Sequence, residues 1–207
     1  MLSDPGKMKK NIQSCNPCYC FPVGQRGVGM IELLIAMLVF AVGVLGMASM
    51  QLAAKRNLYE STQRSIATGL NRDILERMRS NPHRLNLYVV DKMSTVTAAS
   101  RDCAFNSCDP NELAAYDLMD WSVLLNGQNE LVTIDGGTTI ASGGLVKSLA
   151  CITNDEGSVR VAIAWKGASE MLDPNEPCGK DDIFYTGSAA GMSYRRAQTM
   201  TSYIPEG

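Results

Sequence analysis

One carboxylate, that of Glu32, stands five residues after Gly27 and directly before a long apolar run. The run extends from Leu33 to Ala54 and contains 22 residues without a charge. A charged side chain at the centre of a membrane helix costs about 2.5–3.5 kcal/mol, and less near the helix end. A desolvated charge is tolerated when it pairs with an opposite charge in the right geometry. Glu32 is therefore a candidate for pairing with a positive group. Alternatively, it marks the cytoplasmic end of a membrane anchor, with its carboxylate among the headgroups.

The seven cysteines divide between the two sides of the apolar run. Three precede it and four follow it: Cys15, Cys18 and Cys20, then Cys103, Cys108, Cys151 and Cys178. Four cysteines in an oxidising compartment can pair in three ways. We expect Cys103 with Cys108 and Cys151 with Cys178, because each of these pairings is local in the sequence. A zinc site is disfavoured, because neither the spacing nor a nearby histidine supports one.

No catalytic set is apparent in the remaining sequence. His83 is the only histidine, and no nucleophile is grouped with an acid and a base. We therefore expect no enzymatic activity, no cofactor and no metal. The formal net charge of -2 gives no basic surface of the kind that binds a phosphate backbone, so no direct contact with nucleic acid is expected.

A helix over the apolar run fits a bilayer, since it spans roughly 33 Å against about 30 Å for the hydrocarbon core. Within residues 1–27, Lys7, Lys9, Lys10 and Arg26 outnumber the single acid, Asp4, so the positive-inside bias predicts this segment in the cytoplasm. The residues after about Lys55 are then expected on the other side of the membrane, outside the cytoplasm. The side chains expected in the membrane include Leu33, Leu34, Ile35, Leu38, Val39, Phe40, Val42, Val44 and Leu45.

The same helix is predicted to continue past the membrane, because no proline interrupts residues 28–81. Its apolar stripe consists of Tyr59, Ile66, Leu70, Ile74 and Met78. The solvated face offers three charge pairs four residues apart: Glu60 with Arg64, Arg72 with Glu76, and Asp73 with Arg77. Asn81-Pro82 ends the pattern. The prediction is one helix over residues 28–82, membrane-spanning at about 30–54 and amphipathic at 55–81.

Residues 83–207 are predicted to form an α+β head. Asp109, Pro110 and Glu112 have the spacing of a capping box, and Asn126-Gly127 stops the helix that follows. The buried face of that helix is expected to consist of Leu113, Tyr116, Leu118, Trp121, Leu124 and Leu125.

Strand signals lie on both sides of this helix. Weak ones cover residues 87–90 and 95–97, and clearer ones cover residues 130–134, start at Leu145 and start at Ser158. A turn at residues 154–157 joins the last two, which predicts an antiparallel meander. A final strand from Arg195 is expected at the sheet edge, and residues 167–191 are expected to be loop.

The segment from Gly27 to Glu32, with its basic leader and apolar run, resembles the class III signal of type IV pilins and pseudopilins. Four further segments resemble the PilV-type minor pilins: "ERMRSNP" at 76–82, "CDPNELAAYDLMDW" at 108–121, "VRVAIAWKG" at 159–167 and "RRAQTMTSYI" at 195–204. The resemblance implies the type IV pilin fold, in which a long N-terminal α-helix packs on an antiparallel β-sheet head.

By this resemblance, a prepilin peptidase removes residues 1–27 by cutting between Gly27 and Val28, and then methylates the new amine. Glu32 becomes the fifth mature residue and docks on the amine of a neighbouring subunit. The implied function is that of a minor pilin, present in few copies near the fibre tip, which helps to start pilus assembly. The implied partners are the major pilin, other minor pilins, the inner-membrane assembly platform and a large tip adhesin. The implied location is the inner membrane, with a periplasmic head, and afterwards the extracellular fibre.

Three alternatives remain open at this point. A type II secretion pseudopilin would share the signal and the helix. A membrane-tethered periplasmic binding module would keep its N-terminus at Met1 or Met8. An exported enzyme released by ordinary signal peptidase would be cut near Gly46, although the apolar run continues past that site.

Overall fold

The computed structural model describes residue 27 and residues 29–95, 98–134, 137–141 and 143–205. The chain divides into two compact units, one up to Ala48 and the other from Ser49 onward. The helices and strands, in chain order, are α1 (Met30–Ser80), a 3-10 helix (Pro82–Tyr88), β1 (Val90–Met93), α2 (Pro110–Asn126), β2 (Leu131–Ile134), β3 (Thr138–Ala141), β4 (Leu149–Asp155), β5 (Ser158–Leu172), a short 3-10 helix (Ile183–Tyr185) and β6 (Met192–Tyr203).

The α1 helix stops at Ser80, next to the Asn-Pro pair that was expected to end it. Asn81 has left the helical conformation, with φ −133° and ψ 56°, and Pro82 opens the 3-10 helix. The proline ring disfavours the α conformation in the preceding residue, which explains the position of this break. The weak strand signal at residues 87–90 was wrong for residues 87–89, because the 3-10 helix continues to Tyr88 and β1 starts only at Val90.

The second unit has its core between the C-terminal half of α1, α2 and one face of the sheet. The α1 residues buried there are Gln63, Ala67, Leu70, Asn71, Ile74, Leu75 and Met78. Three members of the expected stripe, Leu70, Ile74 and Met78, are therefore in the core. Tyr59 is not, because the buried part of α1 begins only at Gln63.

The start and end of α2 are as predicted. The Asp109 carboxylate accepts hydrogen bonds from the backbone N–H groups of Asn111 and Glu112, at 2.7 and 2.9 Å. The Glu112 carboxylate accepts in return from the Asp109 N–H at 3.0 Å, which completes the capping box. Gly127 follows the last turn in the left-handed conformation, with φ 64°. Capping of this kind fixes which side chains α2 presents to the core.

The face that α2 buries differs partly from the expected one. Leu118, Trp121 and Leu125 are buried, and the Trp121 indole N–H donates to the Leu70 carbonyl of α1 at 3.0 Å. The other three expected residues are only half-buried: Leu113, Tyr116 and Leu124. Ala114, Asp117 and Ser122 are buried in addition.

The main sheet has four antiparallel strands in the order β1-β4-β5-β6. The predicted meander is confirmed for β4, β5 and β6, and the expected turn lies between Asp155 and Ser158. The strand predicted at residues 130–134 lies elsewhere, since β2 pairs only with β3 in a separate hairpin. The α+β class, a long N-terminal helix with an antiparallel sheet, is confirmed.

The prediction of a loop over residues 167–191 was wrong for residues 167–172, which belong to β5. The pairing of β5 with β6 shifts register between Lys166 and Met171 and then resumes, so that β5 continues to Leu172. A bulge of this kind adds residues to one strand without ending the ladder.

A buried arginine of β6 holds the segment that follows β5. The Arg195 side chain is fully buried, and its Nε and second guanidinium nitrogen lie 3.0 and 2.8 Å from the two oxygens of Asp173. The same guanidinium donates to the carbonyls of Pro174, Glu176 and Cys178 at 2.5–2.7 Å. Hydrogen bonds from Arg195, and then from Ser193, lower the pKa of Asp173. Residues 173–178 are thereby fixed against the sheet.

We predict that Asp173→Asn lowers the free energy of unfolding at neutral pH by about 3 kcal/mol, because it leaves the buried Arg195 without a counter-charge. The carboxyl pKa is lower in the folded protein, so its stabilisation is present above the unfolded value of about 3.9 and is lost as pH falls through the folded value. The difference between parent and variant should therefore shrink in acid.

Denaturant unfolding of the full chain in detergent, followed from pH 7 to pH 3, measures this difference. Asp181→Asn is the matched control, because Asp181 is an exposed aspartate in the same region. A difference that is independent of pH, or no larger than that of the control, would contradict the assignment.

Candidate functional site

The first turn of α1 contains the acid that the sequence singled out. The Gly29 carbonyl accepts hydrogen bonds from the N–H groups of Glu32 and Leu33, at 3.0 and 3.2 Å. Glu32 is the acidic residue of this turn, and its side chain is exposed. A carboxylate in the first turn interacts favourably with the helix dipole, by about 0.3–1 kcal/mol. Gly27 is described, whereas Val28 and residues 1–26, with Cys15, Cys18 and Cys20, lie outside the described residues.

The apolar part of α1 has no cover within the part of the chain that the structure describes. Every residue from Met30 to Tyr59 is exposed, and the nine side chains expected in the membrane are 48% to 73% exposed. By length and composition, α1 is apolar enough to cross a membrane. Apolar surface left in water costs roughly 25 cal/mol per Å². This segment therefore requires lipid or another protein around it.

Glu60 of α1 and Arg196 of β6 join the head to α1 near the start of the buried part of the helix. The two side chains form a two-pronged ion pair, with both N–O distances 3.2 Å, and Arg196 is buried. Glu60 also accepts from the Ala168 N–H at 2.7 Å, inside the bulge of β5. A side chain on Gly167 would place its Cβ 2.7 Å from the Arg196 guanidinium carbon, so the absence of one allows this approach. Glu60 was expected to pair with Arg64; its partner is 136 residues away in the sequence.

A second set of charges fixes the other end of α1 to α2. Arg77 pairs with Asp73 at 2.9 Å, as predicted, and also with Asp120 at 2.7 Å and Asp117 at 3.4 Å. The Tyr88 hydroxyl donates to Asp117 at 2.6 Å, and burial together with this bond raises the pKa of Tyr88. The end of α1 is thus held by two carboxylates of α2, one of which also binds Tyr88.

The other expected pair on α1, Arg72 with Glu76, is replaced in the described structure. Glu76 instead forms an ion pair with Arg79. Both residues are on the exposed face of the helix, where such pairs contribute little to stability.

Two disulfide bonds close loops of the head. Cys103 is bonded to Cys108, which directly precedes the N-cap of α2, and this small ring exposes Phe105. Cys151 of β4 is bonded to Cys178, at the end of the segment that Arg195 holds. Among the described residues, no group of histidine, cysteine, aspartate and glutamate side chains could hold a metal ion.

The cleft beside the second disulfide has a volume of about 380 Å³. Several charged groups in its wall are engaged with each other or with neighbours. Arg160 pairs with Glu176, and Lys92 pairs with Asp182 at 2.7 Å. These two ion pairs join β1, β5 and the segment that follows β5. His83, the only histidine of the chain, is exposed on the first 3-10 helix.

A family model described as Tt1218-like, type IV pilin Tt1218, matches residues 49–119. The match covers α1 from Ser49, the first 3-10 helix, β1 and most of α2, which is less than half of the chain. No curated protein and no solved structure matches significantly. Pilins are structural subunits rather than enzymes.

The matched segment joins the elements that build the head core around α1, and the described architecture agrees with the type IV pilin fold. The apolar N-terminal half of α1, which the family model does not cover, fits membrane anchoring and incorporation into a pilus. Residues 49–119 are thus similar to the type IV pilins, and the fold is consistent with that similarity.

Proposed function

We propose that the chain is a minor pilin of the PilV type, which enters a type IV pilus in few copies and helps to start its assembly. The observation that carries this proposal is the division of α1 into two halves. One half buries one face in the head, and the other exposes an uncharged apolar surface that follows Glu32 in the first turn. A surface of this kind can be covered first by lipid and later by the helices of other subunits.

The N-terminal chemistry follows from the resemblance of the signal. A prepilin peptidase cuts between Gly27 and Val28 in the cytoplasm and methylates the new amine, while the head lies in the periplasm. The partners are then the peptidase, the assembly platform of the inner membrane, the major pilin and other minor pilins, with a large adhesin at the tip. The two disulfide bonds hold loops of a head that is exposed outside the cell.

Glu32 supplies the charge that positions the subunit. In a bundle of apolar helices, the methylated amine of one chain and the Glu32 carboxylate of its neighbour neutralise each other. A pair desolvated together is tolerated only in the correct register, and an unpaired charge there is strongly unfavourable. The same carboxylate is tolerated before assembly, because it lies at the helix start, where the headgroups are within its reach.

The first prediction concerns the mature N-terminus. The protein purified from cells that contain the peptidase should begin with N-methylated Val28, because Gly27 precedes the bond that is cut. Intact mass and N-terminal sequencing of membranes and sheared fibres measure this. Cells without the peptidase provide the control, in which residues 1–27 should remain. Retention of the leader in both strains would favour an uncleaved anchor, and loss of the apolar helix would favour a released protein.

The second prediction concerns Glu32. Glu32→Gln keeps the shape of the side chain but removes its charge, so incorporation into fibres should fall at least about tenfold, equivalent to ~1.4 kcal/mol. Export and folding of the head should not change. Immunoblots of sheared fibres, normalised to the membrane pool, measure the ratio.

Glu156→Gln is the matched control for this change, because Glu156 is an exposed carboxylate in the turn between β4 and β5. Equal recovery of Glu32→Gln and parent in fibres would exclude the docking role. A fibre-free secretion pseudopilus containing the subunit would instead assign it to the pseudopilins.

A further inference from the structure

One end of the head exposes apolar side chains at the point where β5 finishes and β6 begins. We call this end the rim, and define it as residues 171–172 and 187–192. Met171 and Leu172 are 53% and 80% exposed, and they pair with Ser193 and Met192 across the two strands. The turn from Gly187 to Met192 contains no charged residue.

Two acids next to the rim, Glu170 and Asp173, are engaged by groups of the head. Glu170 accepts hydrogen bonds from the N–H and hydroxyl of Ser188, at 2.9 and 2.7 Å, and these bonds lower its pKa. Asp173 is bound by Arg195. The rim itself contains no charged residue, and the exposed Lys180 and Asp181 line a cleft together with Gly187 and Met192.

The position of the rim along α1 follows from three contacts within the second unit. Glu60 binds Arg196, the Asn71 amide donates to the Gln198 carbonyl at 3.3 Å, and Arg79 donates to Ser202 at 2.7 Å. Residue numbers rise together along both elements, so β6 runs alongside α1 in the same direction. The rim, at the start of β6, therefore lies toward the N-terminal side of Glu60.

The lengths of β6 and α1 before the Glu60–Arg196 ion pair place the rim near the level of Lys55, the first charged residue after the uncharged run. Met192 is four residues before Arg196, or about 13 Å of strand. Lys55 is five residues before Glu60, or about 7.5 Å of helix. The uncharged run ends at Ala54 and is followed by Lys55 and Arg56. In a membrane-anchored chain, such a boundary marks the bilayer surface.

We propose that the rim rests in the headgroup region of the same bilayer that holds α1, before the subunit enters a fibre. This rests on the membrane anchoring in the proposed function. Lipid is favoured as the occupant because the rim exposes apolar side chains at about the level at which the uncharged run of α1 ends. The head is then held against the membrane at two places, by α1 and by the rim.

Tryptophan fluorescence tests this contact. Leu172→Trp places a reporter on the rim, where the exposure of Leu172 leaves room for it, while the native Trp121 and Trp165 are fully buried. The full chain is reconstituted in vesicles of phosphatidylethanolamine and phosphatidylglycerol, with or without brominated acyl chains. The added emission should be blue-shifted and should fall by about half with brominated lipid, as for a tryptophan at the membrane interface.

Tyr203→Trp is the matched control, because Tyr203 is an exposed aromatic residue at the opposite end of the same strand. Its emission should be quenched no more than that of the parent. Ala190→Trp, in the exposed turn of the rim, is a second reporter should Leu172→Trp alter the fold, and it should behave as Leu172→Trp does.

Flotation of the vesicles separates the failure of this inference from that of the proposed function. If the chain floats with the vesicles and neither rim reporter is quenched beyond the control, the lipid contact is excluded and membrane anchoring stands. If the chain does not float, the anchoring itself is excluded. Protection of the reporters only after addition of a second pilin would assign the rim to a protein contact, and would also overturn the inference.

Discussion

The central constraint on this protein is that one helix must satisfy two different surroundings. The C-terminal half of α1 buries Ile74, Leu75 and Met78 in the head core, where they are almost free of solvent. The N-terminal half exposes side chains of the same type, from Leu33 to Leu45, which no described part of the chain covers. Water is the unfavourable environment for that surface. Lipid or another protein must therefore cover the apolar surface of the N-terminal half, as the head covers that of the C-terminal half.

The head, in turn, is built to hold α1 firmly. Arg196 and Glu60 fix the start of the buried half, and Arg77 with Asp117 and Asp120 fixes its end. A guanidinium offers several donors in a rigid plane, so it can bind a carboxylate and backbone carbonyls together. Such contacts lock the direction of the helix relative to the sheet, which apolar packing alone defines less strictly.

The segment after β5 shows how irregular structure is kept in place without a core of its own. Residues 173–178 are held by the buried Arg195, by the Asp173 carboxylate and by the bond between Cys151 and Cys178. Backbone carbonyls of this segment accept hydrogen bonds from the charged guanidinium. Such hydrogen bonds are stronger than those from a neutral donor. The same arrangement turns the chain back at Leu172 and so creates the exposed end of the strand pair.

Local patterns in the sequence determined the elements whose physical causes are local. The break at Asn81-Pro82, the capping box of Asp109 and Glu112, and the turn between Asp155 and Ser158 each depend on residues within four positions of one another. The long uncharged run and its acid were also visible directly, since composition alone marks a membrane-competent helix. The tertiary structure decided what depends on distant partners. It placed Glu60 on Arg196 rather than on Arg64, separated β2 from the meander, and continued β5 past Gly167. Periodicity cannot reveal these features, because each depends on which elements the folded chain brings together.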